Sequence, residues 1–263
     1  MTDLTEITPN LGIGDILIIK LKEISNNLKI TKINIRLQLI HEYVSNIEIK
    51  INFLKLFFEL LFPYAELHFI NGVHHSTNLD NYKINQIYLY DYIKLDKINN
   101  YNNYIIFHTK VRIDGYSDEF KKYILPIFDN YIKTLKTSKN IILMGERIIE
   151  KNFETTVHGV ISLYDVLIQL NNNNNLIDLT KELLCSGNSD FNNFLEDIEI
   201  INKADCNITF GIGGPFCISN TFSKNVINFI PLHNNYSSND FVNLVNNDFS
   251  DINDFINKIN YYI

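Results

Sequence analysis

The stretch Cys206-Asn207-Ile208-Thr209-Phe210-Gly211-Ile212-Gly213-Gly214-Pro215-Phe216 decides how this chain is read. Residues 206–210 read as a short apolar strand, the glycines break it, and a short helix is predicted over about 218–223. Strand, glycine turn and helix in that order form the repeating unit of a parallel α/β sheet. Gly211, Gly213 and Gly214 are three of only ten glycines in the chain, which favours a phosphate cradle in which backbone N–H groups approach an anion. The plainer reading is a sharp turn that needs positive φ. The loop is neither G-x-G-x-x-G followed by an acid nor G-x-x-x-x-G-K-[ST]. A dinucleotide oxidoreductase and a P-loop NTPase are therefore disfavoured.

Working outward, the same alternation covers the chain. Strands are expected at 4–8, 33–39, 66–70 and 86–93, with helices at 15–25 and 47–61 between them. The polar, turn-rich segment DKINNYNN (96–103) then marks a boundary, giving domains over 1–99 and 100–263. After it the pattern restarts with a strand at 104–108, a loop at 109–115, a helix at 117–135 and a strand at 140–144. A helix at 160–170, a strand at 176–179, a helix at 190–203, the quoted unit, a strand at 226–230 and a helix at 240–261 follow. The fold class is α/β: two Rossmann-like domains, the N-terminal one reduced, facing a central cleft. Ligands of such sheets lie at the carboxyl ends of the strands.

A 46% hydrophobic fraction argues for a globular chain, and a formal charge of −7 argues against a nucleic-acid partner. The excess of Asn, Ile, Lys and Tyr fits AT-rich coding, and the run Asn171 to Asn175 is expected as a surface loop. Cys185, Cys206 and Cys217 form no C-x-x-C, so reduced thiols, a cytoplasmic setting and no zinc site are expected. The start MTDLTEITPN is neither basic nor apolar, so no signal peptide is expected. The apolar run 47–63 is interrupted by Glu48, Lys50, Lys55 and Glu59, so no transmembrane segment is expected. The sequence leaves the oligomeric state open.

Three further constellations could carry chemistry. Gly12, Gly14 and Asp15 precede a helix, whose free N–H groups and positive dipole end suit an anion; the plainer role of Asp15 is to cap that helix. Lys110 and Arg112, in Phe107-His108-Thr109-Lys110-Val111-Arg112, could neutralise a diphosphate, or be incidental charges on a solvated loop. Gly145, Glu146 and Arg147 follow another strand: Glu146 suits a ribose hydroxyl and Arg147 a phosphate, or the two form a local ion pair. His74 and His75 are candidates for an acceptor side, and His158 in TTVHG for the cleft. No DxD sequence suggests a divalent metal, and no GxSxG elbow is present.

These motifs occur in the order seen in GT-B glycosyltransferases, and the chain resembles the heptosyltransferase-like group, glycosyltransferase family 9. The resemblance rests on Gly12-Ile13-Gly14-Asp15, on the basic stretch 108–112, on Ile141-Ile142-Leu143-Met144-Gly145, and on Ala204-Asp205 before 206–210 and GIGGPF. It implies metal-independent transfer of a sugar from a nucleotide diphosphate donor to a hydroxyl acceptor on a glycan or other molecule, with no bound cofactor. It also implies that Asp15 is the base and that the C-terminal domain holds the donor. Two departures stand. The family's D-[ST]-G-x-x-H loop is replaced by Phe210-Gly211-Ile212 without a nearby histidine, and the chain is roughly 80 to 100 residues shorter than usual. HTKVRID also resembles the H-x-R-x-D loop of fucosyltransferases, leaving the donor sugar open. A nucleotide-sugar epimerase of the same architecture and a non-catalytic nucleotide-sugar-binding protein are the alternatives.

Overall fold

Alternation along β2 (Lys32–Arg36) builds the first of two sheets: Ile33 and Ile35 are buried, while Lys32, Asn34 and Arg36 between them are only half-buried. β2 pairs in parallel with β1 (Glu6–Ile7) on one side and β3 (Glu66–Ile70) on the other. The crossovers are α1 (Ile13–Ser25) and α2 (Ile47–Leu61). In α2, Phe53, Leu54, Phe57, Phe58 and Leu61 form one buried stripe at helical spacing, while Glu48, Lys55 and Glu59 are exposed. These details come from a computed structural model that describes residues 5–37, 47–72, 75–85, 87–93, 95, 100–112, 117–147, 160–181, 190–211, 213–230 and 248–263.

The second sheet begins at β4 (Tyr104–Arg112) and adds β5 (Asn140–Met144), β7 (Leu176–Asp178), β8 (Cys206–Gly211), β9 (Val226–Phe229) and β10 (Asp248–Phe249). All six are parallel, in the spatial order β7-β5-β4-β8-β9-β10. Counted along the chain this is 3-2-1-4-5-6, the doubly wound Rossmann order, whose direction reverses between β4 and β8. β6 (Val160–Ser162) attaches to β4 antiparallel. One face is covered by α3, which starts at Ser117–Glu119, widens to a π turn over Phe120–Ile124 and continues over Leu125–Thr134, and by α7 (Ile252–Tyr262). α4 (Tyr164–Leu167) runs on into a 3₁₀ turn, Ile168–Asn172. The other face carries α5 (Phe191–Lys203) and α6 (Gly214–Phe222).

Helices α1 and α2 fill the space between the first sheet and α5 and α6, so one apolar core joins the first sheet to the helices on that face of the second. It runs from Ile33 and Ile35 through Leu17, Phe53 and Phe57 to Phe194, Phe216 and Phe222. Phe194 meets Phe53 and Phe57 edge-on at 5.3 and 5.4 Å.

Several sequence expectations are corrected. Residues 87–93 form no strand: Leu89–Asp91 is a 3₁₀ turn, with Leu89 buried against α6 and Tyr90 Oη donating to Glu199 at 3.0 Å. Tertiary packing thus overrides the β-propensity of that run. Residues 160–162 are a strand, because Val160 and Ile161 pair with Arg112 and Val111. Ser162 Oγ then accepts from Tyr164 N, where α4 begins. β4 continues to Arg112 for the same reason, so Lys110 and Arg112 lie on a strand and not in a loop. α6 starts at Gly214, directly on the glycines, with Pro215 in its first turn where a missing N–H costs nothing. The asparagine run is exposed as expected, with Asn174 half-buried, and Asn173 and Asn174 donate to the Lys133, Leu135 and Leu170 carbonyls. α7 is shorter than expected and follows β10; residues 240–247 lie outside the described residues.

Candidate functional site

Arg112 ends β4 and Gly211 ends β8, the two strands that flank the reversal of strand order. In open α/β sheets ligands occupy the crevice at that point. Gly211 has φ +73°, and a Cβ on it would stand 1.7 Å from the Arg112 carbonyl oxygen, so only glycine fits. A Cβ on Gly213 would come within 3.4 Å of the Arg112 Cβ, whereas one on Gly214 would meet nothing within 4 Å. Gly213 is the N-cap of α6, and no side chain caps that end. The orphan N–H groups of the first turn therefore begin beside the Arg112 side chain.

α1 packs on α6, which brings Asp15 to this place from the first sheet. Gly12, not Asp15, is the N-cap of α1, and no side-chain cap bond is made; Gly14 and Asp15 lie in the first turn. The capping role is thus not taken up by Asp15. Its carboxylate folds back so closely over Gly12 that a Cβ there would lie 2.6 Å from Asp15 Oδ2. Asp15 keeps contact with solvent, yet the packed helices withdraw enough water to push its carboxyl above the ordinary 3.8, and the Arg112 guanidinium pulls the other way.

A β-bulge precedes Arg112, with three residues of β4, His108 to Lys110, spanning the space opposite Thr209 alone. His108 is tied to α6, and Thr109 and Lys110 are both tied to Glu146 after β5. His108 Nε2 meets Ser219 Oγ of α6 at 3.0 Å. Thr109 Oγ1 donates to the Glu146 carbonyl at 2.8 Å. Lys110 Nζ pairs with Glu146 Oε1 at 3.0 Å, both side chains being largely buried. Gly145, with φ +116°, lets β5 close over this bulge: a Cβ there would lie 2.6 Å from Thr109 Oγ1. Its glycine is explained by close packing.

Glu146 and Arg147 do not pair with each other. Arg147 donates to Asp178 Oδ2 at 3.0 Å and to Thr180 Oγ1 at 2.7 Å, and it lies 5.2 Å over the Tyr164 ring. Tyr164 Oη donates to the same Asp178 oxygen at 2.9 Å. The Asp178 carboxyl feels a penalty from burial, but the bonds from Thr180 and Tyr164 and the Arg147 charge together hold it below its usual value. Asp178, Tyr164 and Ser219 carry no motif in the sequence, and His108 stands out there only as part of the basic stretch 108–112. The alternation Phe107, Thr109, Val111 against His108, Lys110, Arg112 was the available signal that β4 runs on.

The structure brings Gly12, Asp15, Arg112, Gly211 and Gly213 together, with Gly214 next in the chain; Lys110 pairs with Glu146 after β5, and Arg147, beside Glu146, turns to Asp178 on β7. His75 is exposed in the loop after β3, and next to it Ser76 accepts from Arg36 Nη2 at 2.8 Å. His74 and His158 lie outside the described residues, as does Cys185. Cys206 and Cys217 are buried free thiols, both pushed up to about 12, chiefly by desolvation. Among the described residues no group of three or more His, Cys, Asp or Glu could hold a metal ion. None of their helices is long and apolar enough to cross a membrane. No family model, curated protein or solved structure matches the chain.

His108 has a measurable consequence for stability. Burial pushes its imidazole down from 6.5 to about 4, partly opposed by the nearby Asn207 side chain. An unfolded histidine takes its proton near the ordinary value, so between these limits the unfolded chain binds more protons than the folded one. Stability is therefore fully present above the upper limit and declines as pH falls toward the lower, by about 3 kcal/mol in full. Melting temperatures across that window should fall more steeply for the wild type than for His108→Gln, and parallel curves would refute the assignment.

Proposed function

We propose that the chain transfers a sugar from a nucleotide diphosphate donor to a hydroxyl acceptor without a metal, in the manner of GT-B enzymes. The observation that carries this reading is the meeting of Asp15, from the first sheet, with Arg112 and the uncapped start of α6 above the gap between β4 and β8. A diphosphate fits that place chemically, because helix N–H groups and a guanidinium both favour negative charge.

In the reaction, the acceptor oxygen forms a bond to the anomeric carbon and gives its proton to Asp15. The bond from that carbon to the phosphate oxygen breaks, and its electron pair leaves on the nucleoside diphosphate. Arg112 and the N–H groups around Gly213 and Gly214 offset the charge that builds there. Desolvation makes Asp15 a stronger base than an ordinary aspartate, and the Arg112 guanidinium opposes that shift.

A non-catalytic nucleotide-sugar-binding protein is the second reading, favoured by the pairing of Lys110 with Glu146 and of Arg147 with Asp178. An epimerase would consume donor alone, without an acceptor. Thermal-shift measurements with UDP-, GDP-, ADP- and CMP-sugars test the common basis of all three. One nucleotide class should raise the melting temperature, since ligand at about 100 times Kd adds about 2.7 kcal/mol. The diphosphate reading fails if none of the UDP-, GDP- and ADP-sugars does, whatever the CMP-sugar result.

A further inference from the structure

We propose that His108 is a positioning residue for this site, acting through Ser219 to hold the first turns of α6 against β4 so that Gly213 stays packed on Arg112. The inference rests on the functional reading above. His108 is only 3% exposed and Ser219 is 0% exposed, so their 3.0 Å contact is shielded from water. A hydrogen bond in such a place is costly to leave unmade, which gives it directional control over the elements it joins.

The placement of that bond explains its use. His108 opens the three-residue bulge of β4, and Arg112 stands four residues on, where the strand has regained register with Gly211 of β8. Ser219 lies one turn and a half into α6. Both partners are thus close in sequence to the two surfaces that must touch, Arg112 and Gly213. Thr109 and Lys110 fasten the other side of the bulge to Glu146. Asn207 on β8 also acts on His108, and its neutral amide donates to Ile201 O and Ser223 Oγ. These polar contacts join β4 to α6 and β8 to α5 and to the end of α6.

Ser219→Ala, His108→Leu and the double variant test the clamp, with His108→Gln as the conservative replacement that keeps a polar atom near the Nε2 position. Two readouts apply: amide hydrogen exchange over the α6 start, residues 214–219, and affinity for UDP, GDP and ADP titrated separately. Each single variant should speed exchange there more than in α7, and weaken the nucleotide that wild type binds about tenfold, equivalent to about 1.4 kcal/mol. The double variant should lose no more than either single one, and His108→Gln should recover most of the affinity. Unchanged exchange at 214–219 in folded Ser219→Ala and His108→Leu overturns the clamp whatever the nucleotide result. Losses that simply add in the double variant also overturn it. A wild type that binds none of the three nucleotides overturns the functional reading instead, and the exchange data then judge the clamp separately.

Discussion

Asp15→Asn should reduce sugar transfer by about 10²- to 10⁴-fold while leaving donor affinity nearly unchanged, because the amide keeps the shape of the carboxylate and loses only its ability to take a proton. The same variant should also be the more stable protein at neutral pH. Desolvation raises the Asp15 carboxyl when the chain folds, with Arg112 opposing it, so the folded state pays for ionising this group. For an acid with a raised folded value, that penalty is absent below the ordinary 3.8 and grows as pH rises through the folded value. The gain in Asp15→Asn is therefore expected at pH 7 and should vanish in acid. Asp15 is exposed enough that solvent screening keeps the gain below about 1 kcal/mol. Melting curves at both pH values, taken beside turnover assays, separate a catalytic carboxylate from a structural one. Normal turnover in Asp15→Asn removes this residue from the mechanism.

Gly211→Ala should be the most damaging single substitution in the site. The new methyl group would occupy the space of the Arg112 carbonyl oxygen, at 1.7 Å, on a residue whose φ of +73° already disfavours a side chain. Relief requires β4 and β8 to part at the point where both end. We expect a loss of about 3 kcal/mol or more, the range in which strain and overpacking act together. Gly214→Ala is the matched control, since a Cβ there meets nothing within 4 Å and the position is helical. Urea unfolding of the two variants should differ accordingly, and equal midpoints would show that the β4–β8 contact is not as tight as described.

Much of the parallel α/β pattern could be read from the chain because short apolar runs and glycine breaks are local signals. Lys32–Arg36, Ile47–Leu61, Glu66–Ile70, Asn140–Met144 and Cys206–Gly211 all form close to where their own residues place them. The failures are non-local. Residues 87–93 carry every mark of a strand, yet Leu89 and Tyr90 are claimed by α5 and α6, more than a hundred residues away. Val160 and Ile161 needed β4 as a partner to become a strand. At the site, the glycines and Asp15 announce themselves by composition. The partners of Lys110 and Arg147 do not: Lys110 finds Glu146 across β4 and β5, and Arg147 passes over its neighbour Glu146 for Asp178 on β7. His108 gave no sign of its role because Ser219 is 111 positions further along.

The aromatic interleaving of Phe53 and Phe57 with Phe191 and Phe194 limits how this molecule can work. Two lobes that swing apart need a seam that water can enter at little expense, but here the seam is oily and fully occupied. The crevice above Arg112 therefore rests on a floor of sheet and helix that is held together across that seam.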